Sequence, residues 1–518
     1  MFLRRLPVDW TGYDSLDALV LYDPDWTQMT VHQQRAIGQW VTNGGRVLVV
    51  LGTNVLPPGN ALAGLLPLRI GEPRQTPLSL STLRRWRLTD YAKREVARWP
   101  VEIVEPAPGW KIEFDDDAQL RAHGPAGFGR MGVLACDPSV LGGRQGANLA
   151  PFWIEQFAGL LDRRTLHLGR AKEPEYRGYY GNENLSPGQQ ATNAVLEHFH
   201  NIEELRPIHI GWVVGVLVTL AVLIGPVDYL VLRKLGRLPW TWVTASACIG
   251  LFSVGAYYGV EYIRGGVLQA RVVSVIDGVQ GRPGGWATRY AGIFAPRSDD
   301  YRLAGTDRSQ WWSGLSPTLG DRFSSFRETI GSRQIYCRQH VDGGNLPYSV
   351  PINIWAMQCL LDESPVEKLP FAATARRGRD AGDWIVTVEN LTDRPISGGC
   401  LLTGPTDGVV LGPVPPREQR EFRGRPVPQR AWETSVARVV SGSDNAGRQA
   451  SLEVTRTALL AQGTARRSEA IGRYLRERAA VVCVEFDRAA VPFSIADKRC
   501  EFDHRQVARL VVFPEARK

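Results

Sequence analysis

Residues Ile210 to Val227 read IGWVVGVLVTLAVLIGPV, and residues Trp240 to Val260 read WTWVTASACIGLFSVGAYYGV; neither run contains a charge. As a helix rising 1.5 Å per residue, each run is long enough to cross a hydrocarbon layer of about 30 Å. A soluble core helix ordinarily keeps a polar face, and neither run has one. The stretch 208–263 is therefore expected to form a two-helix transmembrane hairpin, with residues 1–207 before it and 264–518 after it.

The turn of the hairpin, Arg233-Lys234-Leu235-Gly236-Arg237-Leu238-Pro239, carries three positive charges and no acid. Short basic loops stay in the cytoplasm, so both large domains are expected on the opposite side, outside the inner (plasma) membrane. Export of the first domain calls for a signal. Met1-Phe2-Leu3-Arg4-Arg5-Leu6-Pro7 leads into Asp9-Trp10 with no apolar run, so the expected native start lies upstream. Within the hairpin, Pro226 removes a backbone donor and is expected to bend the first helix. Asp228 sits in the last apolar turns and needs a partner such as Arg233, Lys234 or Thr241.

The net charge is +8, but the basic residues are scattered among 53 acids. The densest basic group, Arg84-Arg85-Trp86-Arg87, reads as a solvated surface, so no nucleic-acid partner is expected. Membrane lipids with anionic headgroups are the expected partners of the basic turn. The seven cysteines form no CxxC or Cys/His cluster, so no metal site is expected. Buried free thiols are the preferred reading, with Cys337–Cys359 or Cys483–Cys500 disulfides as the alternative.

Residues 1–165 read as α/β. Asp17 to Tyr22 (DALVLY) is a short buried strand, and Thr30-Val31-His32-Gln33 is a capping-box pattern that opens a helix. Asn43-Gly44-Gly45 stops that helix before the next strand, Arg46 to Leu51 (RVLVVL). The unit is β-α-β, with parallel strands and a right-handed crossover. Residues 101–106 and 109–114 look like strands of an insertion, Gly127 to Asp137 (GFGRMGVLACD) gives a turn and a strand, and 148–161 is an amphipathic helix.

The order DALVLYD, helix, WVTNGGRVLVVLGTN, then GRMGVLACDPS and an aromatic-rich helix resembles the class I glutamine-amidotransferase-like fold. It is similar to the versions in bacterial membrane-anchored envelope proteins, including auxiliary subunits associated with ABC transporters. The phrase GPVDYLVLRKLGRLPWTWVT resembles a hairpin signature of the same proteins. The resemblance implies a flavodoxin-like parallel sheet, and protein partners in an envelope or ABC-type complex. Catalytic members of the fold carry a cysteine on a sharp strand-to-helix turn, where the helix start lowers the thiol pKa. Here that strand ends Leu51-Gly52-Thr53-Asn54, without a cysteine, and Cys136 lies inside an apolar strand. No catalytic residue is assigned.

Other chemistry is weakly signalled. Asp115-Asp116-Asp117 lacks the alternate spacing of a calcium loop and reads as a solvated turn. His32 falls at an exposed helix start, His123 precedes a Gly-Pro turn, and His504 reads as a surface residue. The glycines form neither G-x-G-x-x-G nor a Walker A loop, so no cofactor is expected. The best ligand position is Gly52-Thr53-Asn54, a loop at a strand's C-terminal end.

Residues 166–207 read as a linker with a juxtamembrane helix from Gln189 to Glu204. From Leu268 the pattern changes to short alternating runs, such as Arg271 to Ile276 (RVVSVI), Thr288 to Ala295 (TRYAGIFA) and Trp384 to Asn390 (WIVTVEN). Residues 264–518 are therefore expected to be a β-rich, sandwich-like domain, with a small α/β appendage from helix 465–478 and strand 480–484.

The resulting expectation is a multidomain membrane protein: an α/β amidotransferase-like domain, a hairpin and a β-rich extracytoplasmic domain. Its expected work is non-catalytic binding or scaffolding in a bacterial envelope or export complex. Two alternatives stand beside it: a membrane-bound hydrolase-like enzyme with a non-cysteine site in the α/β domain, and a subunit of a transport path.

Overall fold

The computed structural model describes residues 3–54, 56–57, 59–88, 95–104, 108–116, 118–141, 149–161, 195–196, 199, 210–236, 238–263, 267–305, 309–315, 335–339, 344–378, 380, 382–404, 407–428, 465–486 and 489–514.

The expected fold class is corrected. The chain is mostly β-structure, and its largest element is a nine-stranded mixed sheet rather than a flavodoxin-like α/β unit beside a separate sandwich. The middle of that sheet is the parallel pair Gln269–Val279 and Glu501–Val512, joined at Val275 to Val507 and Ile276 to Ala508. On one side follow Gly285–Ala295, Ala356–Val366 and Trp312–Gly314; on the other follow Ala480–Phe486, Ile396–Leu402, Asp407–Leu411 and Val427–Pro428.

Side-chain alternation splits this sheet into two faces, as the period of two requires. Ile276, Val482, Val484, Ala508 and Leu510 lie on one face and pack on Ala373, Ala375, Val386 and Val388 of a three-stranded sheet. That smaller sheet consists of Phe371–Arg377, Trp384–Asn390 and Gln419–Gly424. The opposite face presents Val275, Val279, Val481, Cys483, Val507 and Val511. It is covered by Ala470, Ile471 and Tyr474 of helix Ala465–Arg476 and by the N-terminal part of the chain.

The β-α-β unit forms locally. Leu19–Tyr22 pairs in parallel with Arg46–Val50, and helix Val31–Thr42 runs between them. Its capping box is closed: Thr30 N donates to Gln33 Oε1 at 2.9 Å and Gln33 N donates to Thr30 Oγ1 at 3.3 Å. The sheet beyond this unit departs from expectation. Gly129–Leu134 continues it in parallel, but Ala118–Ala126 and Lys111–Asp115 add antiparallel strands. The reason is local: Gly127, at φ +65°, closes a tight turn that folds Ala118–Ala126 back on Gly129–Leu134 as a hairpin.

The coverage of this five-stranded sheet also differs from a doubly wound fold. Leu48, Val50 and Leu134 face Phe152 and Leu160 of helix Ala150–Leu160 and the side chains of Leu83 and Trp86. Val47, Val49 and Val133 face Ala36, Ile37, Trp40 and Val41, and this core continues without a break into Val275, Trp286, Ile471 and Val511. One core thus joins residues from the two ends of the chain.

Of the juxtamembrane helix, Val195, Leu196 and Phe199 are described. They are buried against Val273, Tyr290, Phe294, Met357 and Cys359. The rest of 186–204 lies outside the described residues.

The hairpin stands away from this body. Helix Ile210–Val222 passes through a widened π-turn, Leu223–Val227, into helix Asp228–Lys234, and helix Thr241–Ile263 returns. The π-turn falls at Pro226, whose missing N–H and bulky ring disturb the preceding turn. Among the described residues one helix, Val214–Lys234, is long and apolar enough to cross a membrane; the apolar stretch of the second, Thr241–Gly255, is shorter. Apart from Asp228 and Leu232, the side chains described on the first are exposed or half-buried, and Trp242 and Leu251 of the second are each 74% exposed.

Candidate functional site

Gly52, Thr53 and Asn54 follow strand Arg46–Val50 at the carboxyl ends of the parallel strands. They meet Asp23, which follows strand Leu19–Tyr22 and holds φ +38°. Thr53 Oγ1 donates to Asp23 Oδ2 at 2.8 Å, and Asn54 N donates to Asp23 Oδ1 at 2.7 Å. A Cβ at Gly52 would stand 2.5 Å from Asp23 Cγ, so glycine permits the approach. Burial pushes the Asp23 carboxyl up, but the hydrogen bonds from Asn54 and Thr53 outweigh it and hold it below the ordinary range. Beside them, Tyr22 Oη donates to Asp137 Oδ1 at 2.6 Å, and Ser139 N and Oγ donate to the same carboxylate at 2.8 and 2.7 Å.

The sequence reading placed the loop but missed the two carboxylates that organise it. Its available signal was the same in both strands: an apolar run that ends on an aspartate, LYD and ACD. Cys136, one residue before Asp137, is fully buried, and burial pushes its thiol up to about 12. A thiol in that state is no nucleophile.

Three further sequence readings are corrected by burial. Asp115 is no solvated turn: it is buried, accepts from Arg98 at 2.5 Å and from Ser79 N at 3.1 Å, and also binds the Ser79 hydroxyl. His123 lies within strand Ala118–Ala126 and meets Glu113 at 3.0 Å, while Arg121 Nε donates to Glu113 at 2.7 Å. The His123 hydrogen bond and Arg121 lower Glu113 to about 2, against the effect of burial. His504 is buried, 2.8 Å from Ser274 Oγ, and desolvation lowers it to about 4. In each case the residue type signalled a surface, and a partner distant in sequence satisfied it inside. Among the described residues, no group of three or more His, Cys, Asp or Glu side chains is arranged to hold a metal ion.

In the hairpin, Pro226 and Asp228 sit in the bent segment, and Arg233 and Lys234 close the last turn of helix Asp228–Lys234. Asp228 is 9% exposed, and its Oδ2 has no hydrogen-bond partner among the described residues. Arg237 lies outside the described residues.

One opening is not signalled by the sequence. A cleft of about 830 Å3 lies beside the packed interface of the three-stranded sheet and the nine-stranded one. Ile276, Val279, Leu369, Phe371, Phe486 and Leu510 line it with apolar surface. Four cationic side chains, Arg282, Lys368, Arg394 and Arg417, also line it, against the single acid Glu367. These residues come from six separate segments, so no local motif announces them.

No protein-family model matches the sequence, and no curated protein matches it. Solved structures that are similar in part include the following two. The yeast delta-COP-I mu-homology domain has 8% identity and a TM-score of 0.25, over 48% of this chain and 98% of that one. The same yeast domain complexed with a Dsl1 WxWxV peptide has 9% identity and a TM-score of 0.24, over 48% and 98%.

Proposed function

We propose that this chain is a membrane-anchored, non-catalytic binding protein that serves as a scaffold or accessory subunit of a bacterial envelope or export complex. The observation that carries the reading is the apolar helix Val214–Lys234, exposed along most of its length and attached to a body whose own apolar residues are gathered in continuous cores. An apolar surface of that length is stable in lipid and costly in water. Trp240 and Trp242 suit the headgroup level, and Arg233 and Lys234 suit the anionic cytoplasmic leaflet. With the basic turn inside, both flanking parts of the chain lie outside the cytoplasm. Binding rather than turnover fits the strand-end loop, where Asp23 and Asp137 are already engaged by Thr53, Asn54, Tyr22 and Ser139.

The test is alkaline carbonate extraction combined with protease protection in spheroplasts, using the full chain with a C-terminal tag. The expected result is retention in the membrane pellet and cleavage of both flanking parts from outside. Release into the carbonate supernatant would overturn the anchoring, and protection of both parts would reverse the topology.

A further inference from the structure

The cleft beside the interface of the two sheets combines a deep apolar lining with a cationic mouth. Its floor is built from both layers: Ile276 and Leu510 belong to the nine-stranded sheet, and Phe371 opens the three-stranded one. Around the mouth, Arg282 NH2 donates to Leu65 O at 2.8 Å and Arg417 Nε donates to Asp393 at 2.8 Å, which fixes both guanidinium groups. Lys368 and Arg394 are exposed and have no ion pair among the described residues. With four cationic side chains against the single acid Glu367 in its lining, the cleft pairs an excess of positive charge with an apolar floor, which marks a place for a negative charge carried on a hydrophobic body.

The size and polarity of the cleft narrow the class. Its volume lies within the range of small-molecule sites, about 300–1,000 Å3. An extended peptide brings a backbone N–H and C=O at every residue, each needing a partner, and a floor of Ile, Val, Leu and Phe supplies none. An alkyl chain needs none.

We infer that this cleft binds a single-chain anionic amphiphile: an alkyl or acyl chain lying on its apolar floor, with its carboxylate or phosphate head against Lys368 and Arg394. This deepens the binding-protein reading and rests on it. The anchoring half of that reading is decided separately by carbonate extraction, so the two can fail independently.

The experiment uses the full chain in nanodiscs of zwitterionic lipid, titrated calorimetrically with decanoate and with decyl phosphate against empty discs. Saturable binding at one site is expected for at least one head group, and the stronger of the two identifies the head chemistry. Octanoate should bind roughly tenfold more weakly than decanoate, because two buried methylenes are lost. The exposed pair Lys368→Glu with Arg394→Glu should weaken the anion by about tenfold or more and leave uncharged decanol unchanged. Ala373→Trp, which fills the cleft, should abolish both. No saturable heat above empty discs overturns the inference, and so does equal affinity in the charge-reversed protein. Binding of an acidic apolar peptide in place of decanoate would reassign the cleft and overturn it equally.

Discussion

Arg467 Nε and Asp277 Oδ2, separated by 190 residues in sequence, form an ion pair at 3.0 Å in which neither side chain is more than 1% exposed. Arg509 binds the same carboxylate, with Nε 2.6 Å and NH2 3.0 Å away, and the second positive charge is met by Glu363. The rest of the Arg467 guanidinium reaches Asn43 at the end of helix Val31–Thr42, Thr288 on the central sheet, and Glu363 at 3.3 Å. One side chain on the C-terminal helix therefore ties the N-terminal part of the chain to the nine-stranded sheet.

Removing that side chain should cost far more than a surface ion pair. Arg467→Met leaves Asn43 and Thr288 without their donor and shifts the burden of the buried Asp277 charge to Arg509 alone. The expected destabilisation is about 3–5 kcal/mol, measured by urea unfolding of the full chain in nanodiscs. A loss under about 1 kcal/mol would mean the network is dispensable.

Asp277 also predicts an acid limb. Burial raises its pKa, but Arg509 and Arg467 outweigh this and hold it below the ordinary carboxylate value. A carboxyl depressed in the folded state contributes stability that is present above the unfolded pKa, about 3.9, and is lost as pH falls through the folded value. Asp277→Asn should therefore flatten the stability curve below about pH 4. An unchanged acid limb would assign it to other carboxylates.

His504 acts in a different window. It is buried with its pKa lowered to about 4 from 6.5, so the unfolded chain takes up this proton first as pH falls. Stability should drop by about 3 kcal/mol between pH 6.5 and 4, with no further contribution below it. His504→Gln, which keeps a hydrogen-bonding partner for Ser274, should remove most of that slope. A slope of the same size in the variant would show that another group titrates there.

The basic turn predicts orientation. Replacing Arg233 and Lys234 with Glu removes positive charge from the short loop, so a larger fraction of chains should insert with the flanking parts protected from external protease. An unaltered digestion pattern would mean that some other feature sets the topology.

Four cysteines predict chemical silence. Cys136, Cys359, Cys400 and Cys483 are fully buried, and burial pushes the thiols of Cys136 and Cys359 up to about 12. Cys400 and Cys483 face each other across neighbouring strands, and hydrogen bonding between the thiols together with burial raises Cys400. None of the four should react with maleimide at neutral pH in the folded chain, and all should react in guanidinium, as read by intact mass. Labelling of any of them in the native state would show that its layer opens.

What was legible in the sequence was local. The capping box of Thr30 and Gln33, the helix stop at Asn43-Gly44-Gly45, the alternating runs RVVSVI and WIVTVEN, and the uncharged hairpin each depend on neighbours within a few residues. Their conformational preference is written in side-chain spacing and turn chemistry. The partners of the strands were not. Alternation gives Gln269–Val279 two buried faces but does not say that Glu501–Val512 will lie beside it in parallel, or that helix Val31–Thr42 will share its core. The same holds for Asp277 and His504: polar residue types that ordinarily face solvent were enclosed because groups far along the chain arrived to satisfy them. The sequence by itself determined the elements and the apolar helices of the hairpin. Only the tertiary structure decided the single shared core, the buried ion network and the cationic cleft, since each forms from segments that become neighbours when sheets meet face to face.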